Sequence, residues 1–265
     1  MTRDRLIPSP SRYVAGCRAV CKPGEYIILP QENRCSNSHI NLRDTEVQIL
    51  VTPKQGADYM MSEYLIQPGG GTIEPVNDAL ETFLYLVGGK LDLTVNGAQH
   101  KLEQGGYAWI PPQQSIELSG QGDQLSRLLW FQRPYLPFKK GPVPEAVFGN
   151  EKEVPAIPEV DINPEKQLIP YETPGFDMAF NLIVIPPGGY YGLVEQHAWE
   201  HAMYMLDGEG LLWLNGQSHQ VKENDFIYIA PYVPEWFCAY GMQQEPIRFL
   251  LYWDWNQDYA RGFSG

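Results

Sequence analysis

The sequence predicts an all-β protein that contains two copies of one small antiparallel barrel. The first observation behind this prediction is an excess of turn-forming residues, 25 Gly and 23 Pro in 265 residues, where about 7% and 5% are usual. The second is an internal repeat, in which residues 68–112 match residues 187–231. Turn residues at short intervals between apolar runs are typical of short strands rather than long helices. Hydrophobic residues at 43% and charged residues at 19% indicate a chain that folds.

The repeat is defined by landmarks that recur in the same order in both copies. Gly88 matches Gly208, and the Asn-Gly pair at 96–97 matches the pair at 215–216. The offset is therefore 119 or 120 residues and changes by one between Gly88 and Asn96. The other matches are Pro68-Gly69-Gly70 with Pro187-Gly188-Gly189, His100 with His219, Gly106–Ile110 with Asp225–Ile229, and Pro112 with Pro231. Self-similarity of this kind predicts two units of one fold.

Short apolar runs that end at turn residues predict the strands of each copy. Asn-Gly is a strong hairpin signal because both central residues of a type I′ turn adopt positive φ. Capped helical spacing is not sustained for long anywhere in the chain. The predicted strands are Glu81–Val87, Gly106–Ile110, His201–Leu206 and Asp225–Ile229, preceded by Tyr26–Leu29 and Val47–Val51.

The region between the two copies predicts a linker. Residues 134–165 contain seven prolines, and clustered prolines interrupt regular structure. We expect a first barrel in residues 1–140, a linker in 141–165 and a second barrel in 166–265.

Charge and hydropathy exclude several classes of partner. The net charge of −13 argues against non-specific binding to nucleic acid or to anionic membrane surfaces. No stretch approaches the roughly 20 apolar residues that a membrane span needs, and the first residues lack the apolar core of a signal peptide. We therefore expect a cytoplasmic protein that acts on a small molecule. The four cysteines show no close pairing, so we interpret them as thiols without a zinc site.

The residues that carry chemistry are two histidines and a carboxylate in the second copy. Glu195, His197 and His201 share one parity, and alternation along a strand points such residues to the same face. Imidazoles combined with a carboxylate are typical ligands of divalent metals. Glu235 follows the strand-ending prolines 231 and 234, and a carboxylate there completes a set of four predicted metal ligands.

These residues resemble the first motif of the cupin superfamily, and specifically of its two-barrel members. The spacing Gly189, Glu195-x-His197-x3-His201, Gly208 matches that motif, but the order of ligands is permuted. The permuted order is similar to that of the ureidoglycine aminohydrolase family, bicupins that use manganese in purine-ureide breakdown. Further matches are Gly175-Phe176-Asp177-Met178, Leu80–Tyr85 and Ala230–Pro234. The resemblance covers roughly residues 15–256 and implies two cupin barrels, a double-stranded β-helix or jelly-roll fold, in a homo-oligomer.

The resemblance also implies that the first barrel lacks the metal site. At the places of Glu195, His197, His201 and Glu235, an alignment on the landmarks puts Pro75, Asn77, Glu81 and Ile116. We therefore expect one metal ion per chain, in the second barrel. Mn²⁺ is expected, with Fe²⁺ or another divalent metal as alternatives, because oxygen ligands with imidazoles suit these ions.

Three positions depart from the family pattern. The fourth ligand is Glu235 where the family usually has Gln, and Trp253 stands where it usually has a Lys that meets the substrate carboxylate. Leu212 stands where it has a Tyr. Two carboxylates bring the charge at a divalent ion to about zero, which weakens attraction for an anionic substrate. We assign Trp253, Leu212 and Trp236 as predicted substrate-binding residues, and the four ligands as the predicted catalytic residues.

The resemblance implies a metal-dependent hydrolase that releases ammonia from ureidoglycine and gives ureidoglycolate. Two alternatives stay open. One is a different metal-dependent cupin enzyme, a dioxygenase or an isomerase, acting on another small molecule. The other is a bicupin that binds a small molecule without catalysis.

Overall fold

The computed structural model describes residues 17–77, 79–136, 141–158, 164–240 and 245–255, almost entirely as strands and turns. Two short 3-10 helices lie at Gln31–Asn33 and Pro53–Gln55. The strands of the described residues, in chain order, are β1 Val20–Lys22, β2 Tyr26–Leu29, β3 Ser36–Asn37, β4 Leu42–Val51, β5 Met60–Thr72, β6 Val76–Asn77, β7 Glu81–Gly88, β8 Lys90–Val95, β9 Ala98–Glu103, β10 Gly106–Ile110, β11 Ser115–Gln121, β12 Ser126–Arg133, β13 Val147–Asn150, β14 Ile157–Pro158, β15 Pro164–Gln167, β16 Ala179–Ile185, β17 His201–Asp207, β18 Glu209–Leu214, β19 Gln217–Lys222, β20 Phe226–Ile229, β21 Glu235–Cys238 and β22 Ile247–Trp253. The predicted all-β class is confirmed, and each of the six predicted strands is present to within a few residues.

Two antiparallel assemblies account for these strands. The N-terminal barrel is built on the sheet that contains β3 to β13, with β7, β12, β5 and β11 in its middle. The C-terminal barrel consists of the sheet β1-β2-β20-β17-β22-β16-β15-β14 and the smaller sheet β19-β18-β21. These are the two cupin barrels that the resemblance implies. In the described residues, no helix has the length and apolar character needed to cross a membrane.

Three strands pair with a barrel other than the one expected from their position in the sequence, or pair from the expected linker. β1 and β2, from the start of the described chain, extend the C-terminal sheet through β20. β13, from the expected linker, pairs with β10 of the N-terminal barrel. The limits 1–140, 141–165 and 166–265 stay a prediction, and parts of them lie outside the described residues. The C-terminal barrel therefore includes β1 and β2, and the N-terminal barrel includes β13, although these strands lie beyond the expected limits of the two barrels.

The offset between the two repeats is constant at 119 residues, so the predicted change between Gly88 and Asn96 is wrong. Glycines with positive φ form pairs at this spacing: Gly69 with Gly188, Gly89 with Gly208, and Gly97 with Gly216. Gly88 has no positive φ and is therefore not the counterpart of Gly208. Both glycines at 88–89 end the same apolar run, and the sequence alone does not distinguish them.

The constant offset changes which residues occupy the place of the metal ligands in the N-terminal barrel. Val76 pairs with Ile116 as Glu195 pairs with Glu235. Thr82, rather than Glu81, then matches His201. The predicted counterparts Pro75, Asn77 and Glu81 are wrong by one residue, which places them on the opposite face of the sheet. Asp78, at the place of His197, lies outside the described residues.

Glu81 lies on the face of the N-terminal sheet that is opposite to the barrel interior, and its contacts show the role of that face. Its carboxylate is buried and accepts a hydrogen bond from Trp109 Nε1 at 3.0 Å. Arg133 lies beside it, with Nε 3.5 Å from the carboxylate, and also contacts the hydroxyl of Tyr252 in the C-terminal barrel. Apolar residues of the same face, such as Phe83, stack on Phe180 of the C-terminal barrel. This face therefore joins the two barrels.

Candidate metal centre

Two segments bring the candidate ligands together at one end of the C-terminal barrel. His201 is the first residue of β17, and Glu235 is the first residue of β21. The segment before β17, predicted as a strand that includes Glu195, is instead a loop that runs along β21. It is tied there by the reciprocal backbone hydrogen bonds of Glu195 and Glu235, both 2.9 Å. His197 is held by its carbonyl, which accepts from Tyr232 N–H at 2.8 Å.

Three side chains converge on one point. His201 Nε2 lies 3.2 Å from His197 Nε2 and 3.1 Å from Glu235 Oε1. His197 Nε2 lies 3.5 Å from the same carboxylate oxygen. His201 and Glu235 are buried, and His197 is partly buried. Candidate ligand atoms of these three residues all lie within 4.8 Å of one another.

The hydrogen bonds around His201 suit a metal ligand. Its Nδ1 lies 3.0 Å from the carbonyl oxygen of Tyr252. Because a carbonyl only accepts, Nδ1 carries the proton, and in the neutral ring Nε2 presents its lone pair to the convergence point. This arrangement, in which a backbone carbonyl fixes the tautomer of a ligand, is usual around metal-binding histidines. The donor set of two imidazoles and one carboxylate fits a divalent metal ion.

The charges at the site stabilise one another in the metal-free protein. Burial alone lowers the pKa of His201, but the neighbouring Glu235 carboxylate outweighs it and raises the pKa to about 9. Burial raises the pKa of Glu235, yet the two histidines lower it to about 2. A doubly protonated His201 therefore pairs with an ionised Glu235, and a metal ion replaces that proton when it binds.

Glu195, the fourth predicted ligand, lies at the rim of the site. It is exposed, lines the same cavity as His201 and Glu235, and helps to raise the pKa of His201. Among the described residues, the convergent set contains the other three predicted ligands and not Glu195. The assignment of all four as metal ligands and catalytic residues stays a prediction.

The cavity beside His201 and Glu235 is narrow, and most of its lining is apolar. Its volume of about 20 Å³ has room for little more than one water molecule. Leu212 is buried in its wall opposite β21, and Trp236 lines it while donating its indole N–H to the carbonyl of Tyr191 at 2.6 Å. The other lining residues are Tyr191, Met203, Phe237, Phe249 and Leu251.

Trp253, the third predicted substrate-binding residue, lies beside the cavity rather than in its wall. It is opposite His201 in the β17–β22 register, with ring centroids 6.3 Å apart. Its ring stacks on Trp199 at 5.9 Å and meets Tyr171 edge-on. Sequence reasoning missed Trp199, although its parity matches that of His197 and His201.

Arg248 lies on the face opposite Trp253, as strand alternation predicts. Its guanidinium bonds to Asp207 at 3.0 Å and to Glu151. In the described part of the chain, the cavity lining contains no Lys or Arg. The site therefore combines two acidic side chains with two imidazoles and has no fixed cation in its wall.

Comparisons with known proteins agree with this architecture. Residues 181–252 match the family model for the cupin domain. The (S)-ureidoglycine aminohydrolase of Escherichia coli K12 is 29% identical over 247 residues, covering 91% of this chain and 92% of that protein. The enzyme of the same name from Arabidopsis thaliana is 25% identical, covering 97% and 85%.

A solved structure extends the likeness to the whole fold. The crystal structure of protein Ylba from E. coli superposes with a TM-score of 0.82 at 27% identity, covering 93% of this chain and 98% of that one. The oxalate decarboxylase of Lactobacillus farciminis has a TM-score of 0.68 at 11% identity, covering 88% and 87%, and shows the shared fold alone. The chain therefore has the two-barrel cupin fold and is similar to the ureidoglycine aminohydrolases over nearly its whole length.

Proposed function

We propose that this protein is a metal-dependent aminohydrolase that converts ureidoglycine and water into ureidoglycolate and ammonia. The observation that carries the proposal is the convergence of His197, His201 and Glu235 in a chain related end to end to enzymes of that name. In the reaction, the bond between the aminal carbon and the amine nitrogen breaks, and a bond from the same carbon to a water oxygen forms.

In this proposal, Glu195, His197, His201 and Glu235 hold one divalent ion, Mn²⁺. When bound, the ion supplies Lewis acidity and orients the substrate. His201 is fixed in its tautomer by the Tyr252 carbonyl, and the buried Glu235 carboxylate balances the charge of the ion. Glu195, exposed at the rim, is the group of this set that an entering substrate meets first.

The apolar wall sets how much of the substrate enters. Leu212, Phe237 and Leu251 enclose a space too small for the whole of ureidoglycine. Only the reacting carbon with its amine and carboxylate groups approaches the ligands, while the ureido group stays toward the rim near Trp253. Because the apolar side chains exclude bulk water from the cavity, electrostatic interactions inside the cavity are stronger.

The decisive experiment combines metal analysis with an assay of ammonia release from ureidoglycine that is generated in place. We expect protein purified with Mn²⁺ to contain one ion per chain, and removal of the ion by a chelator to abolish ammonia release. Activity that survives metal removal would reject the proposal. A metal-loaded protein that releases no ammonia would support the site and reject the substrate.

One observation favours a second candidate, the same metal centre acting on a less anionic substrate. The described lining of the cavity has two carboxylates and no Lys or Arg. When an ion replaces the proton of His201, the two carboxylates balance the charge of the ion, so an anionic substrate gains little attraction from the site. Comparison of ureidoglycine with its neutral amide separates the two candidates, because the amide is the better substrate only in the second.

An anaerobic assay excludes a dioxygenase if activity persists without oxygen. The homo-oligomeric state and cytoplasmic location expected from the sequence also belong to this proposal.

A further inference from the structure

The N-terminal barrel contains a cavity at the place that corresponds to the metal centre. Its volume is about 400 Å³, and Val76, Trp130 and Gln132 are part of its lining. Val76 corresponds to Glu195, because the pairs Val76–Ile116 and Glu195–Glu235 match. Gln132 lies opposite Thr82 as Trp253 lies opposite His201. The same end of the same fold is thus open in one barrel and nearly filled in the other.

The lining of this cavity combines an apolar wall with polar groups. Met60, Tyr64 and Ile49 contribute apolar surface, and Thr72 and Gln132 contribute neutral polar groups. The segment 37–41 adds the side chains of Asn37, Ser38 and Asn41 and the imidazole of His39. Among the described lining residues there is no Asp, Glu, Lys or Arg. Such a wall disfavours a charged ligand, because burying an unpaired charge is costly. The volume falls in the range of about 300–1,000 Å³ that is typical of small-molecule sites.

A buried hydrogen-bond donor in this wall lacks a partner. Trp130 is 4% exposed, and its Nε1 has no hydrogen-bond acceptor among the described residues. The Trp130 ring stacks on Tyr64, with centroids 5.2 Å apart and planes 21° from parallel. Buried indole N–H groups nearly always find an acceptor, and an acceptor from a ligand in the cavity would supply it.

The hydroxyl group of Tyr64, which lines the cavity, adds to this donor. Thr82 is on the interior face beside Gln132 and has a buried Oγ1 that lacks a partner among the described residues, but it is not part of the cavity lining. Burial raises the pKa of the Tyr64 phenol to about 12, so at neutral pH it is an uncharged donor. The stacked pair of rings offers a flat surface, and the donors around it select for carbonyl oxygens or ring nitrogens.

We propose that the N-terminal barrel binds an uncharged planar heterocycle with carbonyl or ring-nitrogen acceptors, and that it does so without a metal ion. The ligand packs along the Tyr64–Trp130 pair and accepts a hydrogen bond from Trp130 Nε1. The cavity admits one or two fused rings. This site does not rest on the function proposed for the C-terminal barrel.

Calorimetric titration of the full chain tests this site with uracil and hypoxanthine as neutral probes and with orotate as an anionic counterpart. We expect at least one neutral probe to bind at one site per chain, more tightly than orotate. Binding must persist after chelator treatment and in the variant His197→Ala, which removes a candidate ligand of the other barrel. Absence of binding by both neutral probes, or its loss with the metal, overturns the proposal.

Trp130→Phe keeps an aromatic ring but removes the N–H donor. We expect it to weaken binding about fivefold to tenfold, the usual effect of one lost hydrogen bond. Trp213→Phe is the matched control, because Trp213 is a half-buried tryptophan of β18 in the other barrel and should leave the affinity unchanged. Equal affinity of the Trp130→Phe variant and the wild type rejects the assigned contact.

A second variant covers the case in which Trp130→Phe does not fold. Ile49 lines the cavity and is 42% exposed, so Ile49→Trp fills space from the rim without disturbing the core. We expect this variant to abolish binding of the neutral probes and to leave the metal content unchanged. Undiminished binding would place the probe elsewhere and overturn the proposal.

Discussion

The ends of the two barrels differ at three paired positions that share one backbone register. In the C-terminal barrel, Glu235 forms a charged cluster with the two histidines, whereas its counterpart Ile116 is 2% exposed within an aliphatic cluster. His201 corresponds to Thr82 and Glu195 to Val76. The backbone therefore provides the same frame twice, and the side chains alone decide whether that frame holds charge or packs apolar surface.

The largest expected effect is the loss of the metal centre. His201→Ala removes an imidazole that contacts both other members of the convergent set. We expect metal content to fall to background and ammonia release to fall at least about a hundredfold, since ligands matter more than the groups that support them. Elemental analysis and the ammonia assay measure both.

His100→Ala is the control for that variant. His100 stacks on Phe148 in the N-terminal barrel and is remote from the candidate ligands. We expect its metal content and rate to equal those of the wild type. An equal loss in both variants would mean that His201→Ala acts through folding rather than through the metal.

Exchanging the residues at the paired positions Ile116 and Glu235 tests how much a buried carboxylate lowers the free energy of unfolding in each barrel. Ile116→Glu buries a carboxylate without the imidazoles that Glu235 has, and we expect it to lower the free energy of unfolding by about 3 kcal/mol. Ile73→Glu, at a position that is 57% exposed, should change it by less than about 0.5 kcal/mol. Urea denaturation of the metal-free proteins measures these differences, and similar values for both variants would refute the comparison.

The reverse exchange should be mild at high pH. Glu235→Ile replaces one side of a buried ion pair with an apolar side chain, leaving His201 free to become neutral. Above pH 9, where His201 is neutral in both proteins, we expect the stability of the metal-free protein to change by about 1 kcal/mol or less, although it no longer binds the ion. At neutral pH the loss is larger, because the stabilisation from the raised pKa of His201 is lost as well. A large destabilisation at high pH would show that the charged cluster supports the barrel itself.

Proton release on metal binding gives a further test of the charged cluster formed by His201 and Glu235. His201 of the metal-free protein has a pKa of about 9, raised from 6.5 by Glu235 against the effect of burial. Below pH 9 the ion displaces this proton, so metal affinity should rise about tenfold per pH unit up to that value. The stabilisation from the raised pKa is complete below pH 6.5 and disappears as the pH rises through 9.

Calorimetry in buffers of different ionisation enthalpy counts the released protons. We expect about one per ion at pH 7.5 in the wild type, because that pH lies well below the raised pKa of His201. Glu235→Gln removes the charge that raises the pKa of His201, so proton release should decrease markedly in that variant. Binding enthalpies that do not depend on the buffer in the wild type would contradict this account.

The sequence predicted the fold and the convergent residues for physical reasons that are visible in particular elements. The Asn-Gly turns and the proline stops define strand ends, so β7, β10, β17 and β20 were located closely. The prolines before Glu235 placed it at the start of β21. The strand alternation used for His197 and His201 does not apply, because His197 lies in a loop. Turn and proline signals act within a few residues and need no tertiary information.

Other features depend on contacts between distant segments. The loop from Glu195 to His197 alternates like a strand in sequence, but its hydrogen bonds go to β21 and to Tyr232. The pairing of β2 with β20 joins segments about 200 residues apart, and no pattern in either segment specifies its partner. The cavity around Trp130 was missed because its lining comes from β3, β4, β5, β6 and β12, which are distant in sequence.

Two neighbouring glycines, Gly88 and Gly89, test the register between the two repeats directly. Gly89 has φ of +86°, and a Cβ there would lie 2.6 Å from Ser126 Cα, whereas Gly88 has no positive φ and nothing within 4 Å of an added Cβ. We expect Gly89→Ala to destabilise the protein by about 2 kcal/mol or more. Gly88→Ala should have little effect or stabilise by a few tenths of a kcal/mol, because alanine restricts the unfolded chain. Denaturation midpoints of the two variants compare these neighbours, and the opposite order would restore Gly88 as the counterpart of Gly208 and, with it, Glu81 as the counterpart of His201.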